Sequence, residues 1–221
     1  MLLALDTATR AIGVALHSGD ELLAEHTWVS RGYHTVQLSP EIALMLRRAN
    51  CSPSDLTAVA VARGPGSFTG LRIGMALAKG MALAHHLRMI AVPTLDILAG
   101  SQPPREEPMF AVLQAGRGRI AAVWYNWSPT GWEAEDEAET MTWEDVIASL
   151  EEETYICGEI DRDGLTVLRE EPLAIIASPA LSLRRPGILA ELAWSRMRNG
   201  DVDDPASIEP AYLHRKSGNG L

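Results

Sequence analysis

Apolar and polar positions along the chain alternate in blocks that predict a mixed α/β protein. Leu2 to Asp6 is a short apolar run closed by an acid and reads as a first strand. Asp6-Thr7-Ala8-Thr9-Arg10 is a polar turn. Ile12 to His17 reads as a second strand, Ser18-Gly19-Asp20 as a hairpin signal and Glu21 to Val29 as a third strand. The chain therefore opens antiparallel, at one side of a mixed sheet. Tyr33 to Asn50 has helical spacing, with Leu38, Ile42, Met45 and Ala49 along one stripe. Pro40 leaves two readings: the first residue of a helix capped by Ser39, or a kink in a helix that begins earlier. Ala58 to Ala62 reads as a buried strand, Phe68 to Ala84 as a second helix, Arg88 to Val92 as a strand and Thr94 to Ala99 as a short helix.

Ser101-Gln102-Pro103-Pro104-Arg105-Glu106-Glu107-Pro108 has no apolar period and reads as a linker. Beyond it, Met109–Gln114 and Ile120–Trp127 read as paired strands. The acidic run from Glu133 to Glu139 is a solvated edge or loop. Thr142-Trp143-Glu144-Asp145 has the form of a capping box that opens a short helix to Leu150. Thr154–Cys157 and Leu165–Leu168 read as short strands. Pro186 to Asn199 is a final helix, with Pro186 near its start and Gly200 after its end. From Asp201 the tail is irregular.

Composition narrows the function classes. The net charge of −10 over 221 residues disfavours a stand-alone nucleic-acid binder, which needs a basic face to displace counterions. No apolar run reaches the length of a membrane span, and no basic, apolar leader opens the chain. Two distant cysteines, Cys51 and Cys157, then read as reduced thiols of a cytoplasmic protein.

The most informative motif is Arg63-Gly64-Pro65-Gly66-Ser67-Phe68-Thr69-Gly70-Leu71-Arg72-Ile73-Gly74, a glycine-rich turn from a strand into a helix. It has neither the Lys-Ser/Thr of a Walker loop nor dinucleotide-site spacing. Two readings are open: a structural turn, or an anion or interface site at a helix N-terminus. The helix that follows is apolar around most of its circumference. Leu71, Met75 and Ala82 lie along one side and Ile73, Leu77 and Met81 along another. Such a helix is buried on more than one face, inside one domain or at a subunit interface. Asp6 either bonds within its own Thr7–Thr9 turn or positions a phosphate or metal-bound water. His34 suits a helix start; His85 and His86 suit a helix C-terminus. Arg117 and Arg119 read as solvated hairpin residues or anion ligands. No Gly-x-Ser-x-Gly elbow supports a serine hydrolase.

Three segments carry a family resemblance: Leu3-Ala4-Leu5-Asp6-Thr7-Ala8-Thr9, Tyr33-His34-Thr35 and, above all, Arg63 to Gly74. Over about its first hundred residues the chain resembles the bacterial TsaB family, also called YeaZ, and Pro210-Ala211-Tyr212-Leu213 is similar to the family's tail. The resemblance implies an α/β, actin-like ASKHA fold of two related lobes, each with a mixed sheet and flanking helices. On it, residues 1–104 form the N-terminal lobe with the dimerisation helices, 105–205 a smaller second lobe, and 206–221 an irregular C-terminal tail. It implies a noncatalytic subunit of the tRNA threonylcarbamoyladenosine synthesis complex. This subunit binds and activates a TsaD-like catalytic subunit, works beside a TsaE-like ATPase and forms a homodimer when alone. Leu38, Ile42 and Met45 of the first helix and Leu71, Met75, Ala78 and Ala82 of the second are the interface residues expected. Asp6, Thr7, Gly64, Gly66 and Ser67 form a candidate nucleotide or anion loop, with ADP or ATP at a joint interface with the partner and no cofactor required. TsaD-like relatives bind a metal through His-x-x-x-His, where this chain has Thr94 and Leu98, so neither a metal site nor a catalytic residue is expected. Many TsaB-like chains have Asp-Ala-Arg where this one has Gln114-Ala115-Gly116-Arg117. The competing enzyme reading is an ATP-dependent phosphotransferase or hydrolase of the actin-like fold. It needs a second acid near the phosphates and a second phosphate loop in the later lobe, and neither is legible.

Overall fold

The computed structural model describes residues 1–30, 32–116 and 118–213. The first sheet contains β1 (Leu2–Asp6), β2 (Ala11–His17), β3 (Leu22–Val29), β4 (Ala58–Gly64) and β5 (Arg88–Pro93), in the order β3-β2-β1-β4-β5. β1 to β3 form the antiparallel meander expected of the opening residues, and β4 and β5 join parallel to β1. Central β1 is buried at all of its positions, which is why Leu2 to Leu5 is a continuous apolar run. Two helices, α1 (His34–Arg48) and α2 (Phe68–His85), cover one face. There Leu3, Leu5, Val59 and Val61 pack with Leu38, Ile42, Met75 and Ala78. α1 starts well before Pro40, so the proline lies inside the helix rather than at its start.

The second sheet repeats this plan with β6 (Met109–Gly116), β7 (Arg119–Ser128), β8 (Gly131–Ala134), β9 (Glu139–Met141), β10 (Thr154–Gly158) and β11 (Ala174–Ile176). Its order is β11-β10-β6-β7-β8, with β9 also paired to β7. Again an antiparallel meander, β6 to β8, is extended by strands parallel to its first member. The two lobes are thus topologically related, as the actin-like fold requires.

One further pair of helices is exchanged between the lobes. α3 (Thr94–Ala99) follows the first sheet and keeps Ile97 against it, yet its Leu95, Leu98 and Ala99 pack with Met109, Ala111 and Leu113 of the second. α6 (Pro186–Arg198) follows the second sheet, yet Leu189, Ala190 and Ala193 pack on Leu2, Ala4 and Ala60 of the first. The chain has thus crossed back to the first sheet before α6. Sequence order cannot show this, because α6 carries no mark of which sheet its apolar side will meet.

Between the second-lobe strands lie α4 (Trp143–Ala148) and α5 (Arg162–Glu170). The capping box at Thr142 and Asp145 is formed. Leu165–Leu168 is helical, not a strand. Asp161 caps that helix by accepting from the Gly164 N–H, and Leu165 and Leu168 are three apart, a helical spacing that a four-residue window does not separate from a strand. The acidic run lies largely exposed between β8 and β9. The tail docks on the first lobe through the Ala211 N–H, which donates to the Arg63 carbonyl.

Candidate functional site

The glycine-rich turn is seated directly on the Thr7–Ala8 segment that follows β1. The Ser67 N–H donates to the Ala8 carbonyl at 2.6 Å, and the Thr7 hydroxyl donates to the Gly70 carbonyl at 2.8 Å. Ser67 caps α2 by accepting from the Gly70 N–H, and the Gly64 N–H donates to Thr94 Oγ1. A Cβ on Gly66, Gly70 or Gly74 would lie 2.4 Å from Ala8 O, 2.2 Å from Thr7 O or 2.2 Å from Thr7 Oγ1. The glycines are thus accounted for by close backbone packing, and the N–H groups of Gly64, Ser67 and Gly70 bond within the chain.

Beside this turn lies a buried ion cluster. Asp6 does bond within its own turn, through Oδ1 to the Ala8 N–H, but Oδ2 accepts from Arg184 Nε at 2.7 Å. Arg184 also donates to Glu159 Oε1 at 3.0 Å, to Thr9 Oγ1 at 2.7 Å and to the Ala11 carbonyl at 3.1 Å. The Thr9 hydroxyl bonds Glu159, and Gln114 holds Glu159 through both its backbone N–H and its side-chain amide. His34, at the start of α1, bonds the Thr9 carbonyl. Burial of Arg184 works against its charge, but the Asp6 and Glu159 carboxylates outweigh that and keep the guanidinium firmly protonated. The second acid near Asp6 therefore exists, and both acids are engaged by one arginine. Sequence reading missed Glu159 and Arg184. The available signal was that Glu159 directly follows an apolar strand, as Asp6 ends one; nothing local marks Arg184.

The seven interface residues expected from the sequence face inward. Leu38, Ile42, Met45, Leu71, Met75, Ala78 and Ala82 are all buried, between 0% and 7% exposed, within this chain's own core. Within this chain α2 is buried along one side only: Leu71, Met75 and Ala82 meet the chain's own interior, while Ile73, Leu77 and Met81 are half-buried at the surface. Small, apolar residues on both sides cannot say which faces the sheet. A groove of about 530 Å³ runs between α1 and α2, lined among others by Thr35, Phe68, Ile73, Ala76 and Leu77. Phe68 is 55% exposed, and Val36 and Leu83 more so. Arg72 closes one end, its guanidinium 3.7 Å from the Phe68 ring centre and its Nε donating to the Tyr212 hydroxyl.

A larger cleft of about 1020 Å³ opens between the lobes, bordered by Arg63, Asp96, Arg119, Tyr125 and Tyr212. The Tyr125 hydroxyl donates to Asp96 at 2.7 Å. Burial raises the pKa of Asp96, and burial next to Asp96 raises that of Tyr125. Cys157, deeply buried, has its thiol pushed up to about 12 and is chemically quiet. Thr94 is buried and accepts from the Gly64 N–H, and Leu98 is part of the core. No cluster with metal-ligand composition occurs among the described residues. No helix among them is long and apolar enough to cross a membrane. Arg117 lies outside the described residues.

A family model described as TsaD, tRNA N6-adenosine threonylcarbamoyltransferase, matches residues 24–139, more than half of the chain. The chain is similar to the tRNA threonylcarbamoyladenosine biosynthesis protein TsaB of Escherichia coli, with 39% identity over 56% of this chain and 53% of that protein. The TsaB of Bacillus subtilis is 32% identical over 57% of this chain and 55% of its own length. The chain thus spans about half the length of these curated relatives. The structure of YeaZ from Pseudomonas aeruginosa superposes with a TM-score of 0.77 at 26% identity, covering 95% of this chain and 99% of that one.

Proposed function

The chain belongs to the TsaB (YeaZ) family, and from that premise we propose that it is a noncatalytic scaffold subunit in tRNA threonylcarbamoyladenosine synthesis. It binds and activates a TsaD-like catalytic subunit, beside a TsaE-like ATPase, and pairs with itself when alone. The observation that carries this reading is the outward face of α1 and α2. Val36, Phe68, Ile73, Ala76, Leu77 and Leu83 give it an apolar surface around a groove; its charges are Arg72 and Lys79 on α2, with Arg47 and Arg48 at the end of α1. Contiguous exposed apolar surface of this kind marks an interaction site. A stable pairing of two such faces buries about 1,200–2,000 Å² in total. Adenine nucleotide, on this reading, belongs at the joint face with the catalytic partner. The ion cluster supports the absence of independent phosphotransfer, because Asp6 and Glu159 are already bonded to Arg184.

The test is threonylcarbamoyladenosine formation with a TsaD-like subunit, a TsaE-like ATPase, ATP, a source of threonylcarbamoyl-adenylate and unmodified tRNA. Adding this chain should raise the yield, and its Leu77→Glu variant should not. Equal modification with and without the chain, in a system free of any other TsaB-like protein, would overturn the assignment.

A further inference from the structure

Two-lobed proteins built on a cleft can open and close about the segments that join the lobes. Here those segments are residues 100–108 and 177–185, and Arg184 lies within the second. Its side chain is 2% exposed and reaches into both lobes. On the first lobe it holds Asp6, Thr9 and the Ala11 carbonyl, all at the β1–β2 turn; on the second it holds Glu159, itself pinned by Gln114 of β6. We propose that Arg184 is a built-in cation that latches the two lobes in one closure, doing within the chain what a bound ligand does in a cleft that opens and shuts.

The physical case rests on what separation would expose. Hinge opening would part the guanidinium, whose side chain is buried, from at least one carboxylate and leave that charge without its partner. Its four contacts are directional, three at the β1–β2 turn and one on Glu159, so a rotation of one lobe against the other cannot keep both sets. Lysine could not replace it, since a single ammonium cannot span Asp6 and Glu159 in the fixed fork geometry. The latch is independent of the tRNA-modification reading, because it concerns only how this chain holds its own halves.

The experiment measures the distance between spin labels on the two lobes in the full chain, at Glu21→Cys and Glu153→Cys, in a Cys51→Ser background. The latched chain should give one narrow distribution. Glu159→Gln, which keeps the shape and removes one ion pair, should broaden it, and amide exchange at Gln114 should accelerate about tenfold or more. Arg184→Ala should broaden it further. Millimolar guanidinium should narrow the Arg184→Ala distribution again by refilling the vacated position, and equal ammonium should not. If Arg184→Ala does not fold, Glu159→Gln carries the test alone. A folded Glu159→Gln chain with an unchanged distribution would overturn the proposal, as would an Arg184→Ala distribution that matches the parent's.

Discussion

Gly74 and Gly80 lie six residues apart on α2 and differ in what stands above them. A Cβ on Gly74 would meet Thr7 Oγ1 at 2.2 Å, whereas one on Gly80 meets nothing within 4 Å. Gly74→Ala should therefore destabilise the protein by about 1–3 kcal/mol through overpacking. Gly80→Ala should stabilise it by about 0.5–1 kcal/mol through helix propensity. Urea unfolding of the two variants checks both signs. Asp96 supplies a pH dependence. Burial, only partly offset by the Tyr125 hydroxyl and Arg196, raises its folded-state pKa above the ordinary 3.8. The folded chain then binds more protons than the unfolded chain between those two values. This group's contribution is present at acid pH and lost as pH rises through the raised value. Asp96→Asn, which can still accept from Tyr125, should be more stable than the parent at pH 7. Its advantage should fade as pH falls to the ordinary carboxylate range. Thermal unfolding at both pH values reads the crossover.

At the scale of elements, α2 is the informative case because its two apolar sides have different fates. Met75 is 4% exposed against the first sheet, so Met75→Glu buries a charge without a partner and should unfold the lobe. Leu77 and Ile73 sit half-buried at the groove, so Leu77→Glu or Ile73→Glu should leave the circular dichroism and melting cooperativity close to those of the parent. Light scattering should report loss of self-association for the outward variants alone. A Leu77→Glu chain that still pairs would remove this face as the contact. α5 teaches the complementary lesson. Its four central residues look like a short strand in isolation. It becomes a helix because Asp161 caps its first turn, while the Trp143 ring sits where a Cβ on Gly164 would fall, at 2.3 Å.

At the scale of the molecule, the exchange of α3 and α6 makes each lobe depend on residues from the other half of the chain. The first sheet buries Leu2, Ala4, Ala58 and Ala60 against α6. A fragment of residues 1–104 keeps Ile97 of α3 on that face but loses α6, and should not fold cooperatively, although it contains the whole first sheet. Adding a peptide of residues 184–200 should restore dispersed amide signals in its NMR spectrum. A well-folded 1–104 fragment without the peptide would contradict the exchanged architecture.

Much of this protein is written locally. Strand and helix periods placed the opening meander, α2, β6 and β7, because burial on one or both faces imposes a pattern within a few residues. The glycines of the turn at 63–74 likewise marked a turn from strand into helix. What the chain could not announce were matters of partnership between distant segments. Which side of α2 meets the sheet depends on helix rotation, and both sides are apolar. Which sheet α6 covers depends on where the chain crosses between lobes. The tie between Asp6 and Arg184 spans 178 positions and has no period at all. Local physics fixes the shape of each element, whereas burial and charge pairing across the folded molecule decide which elements meet.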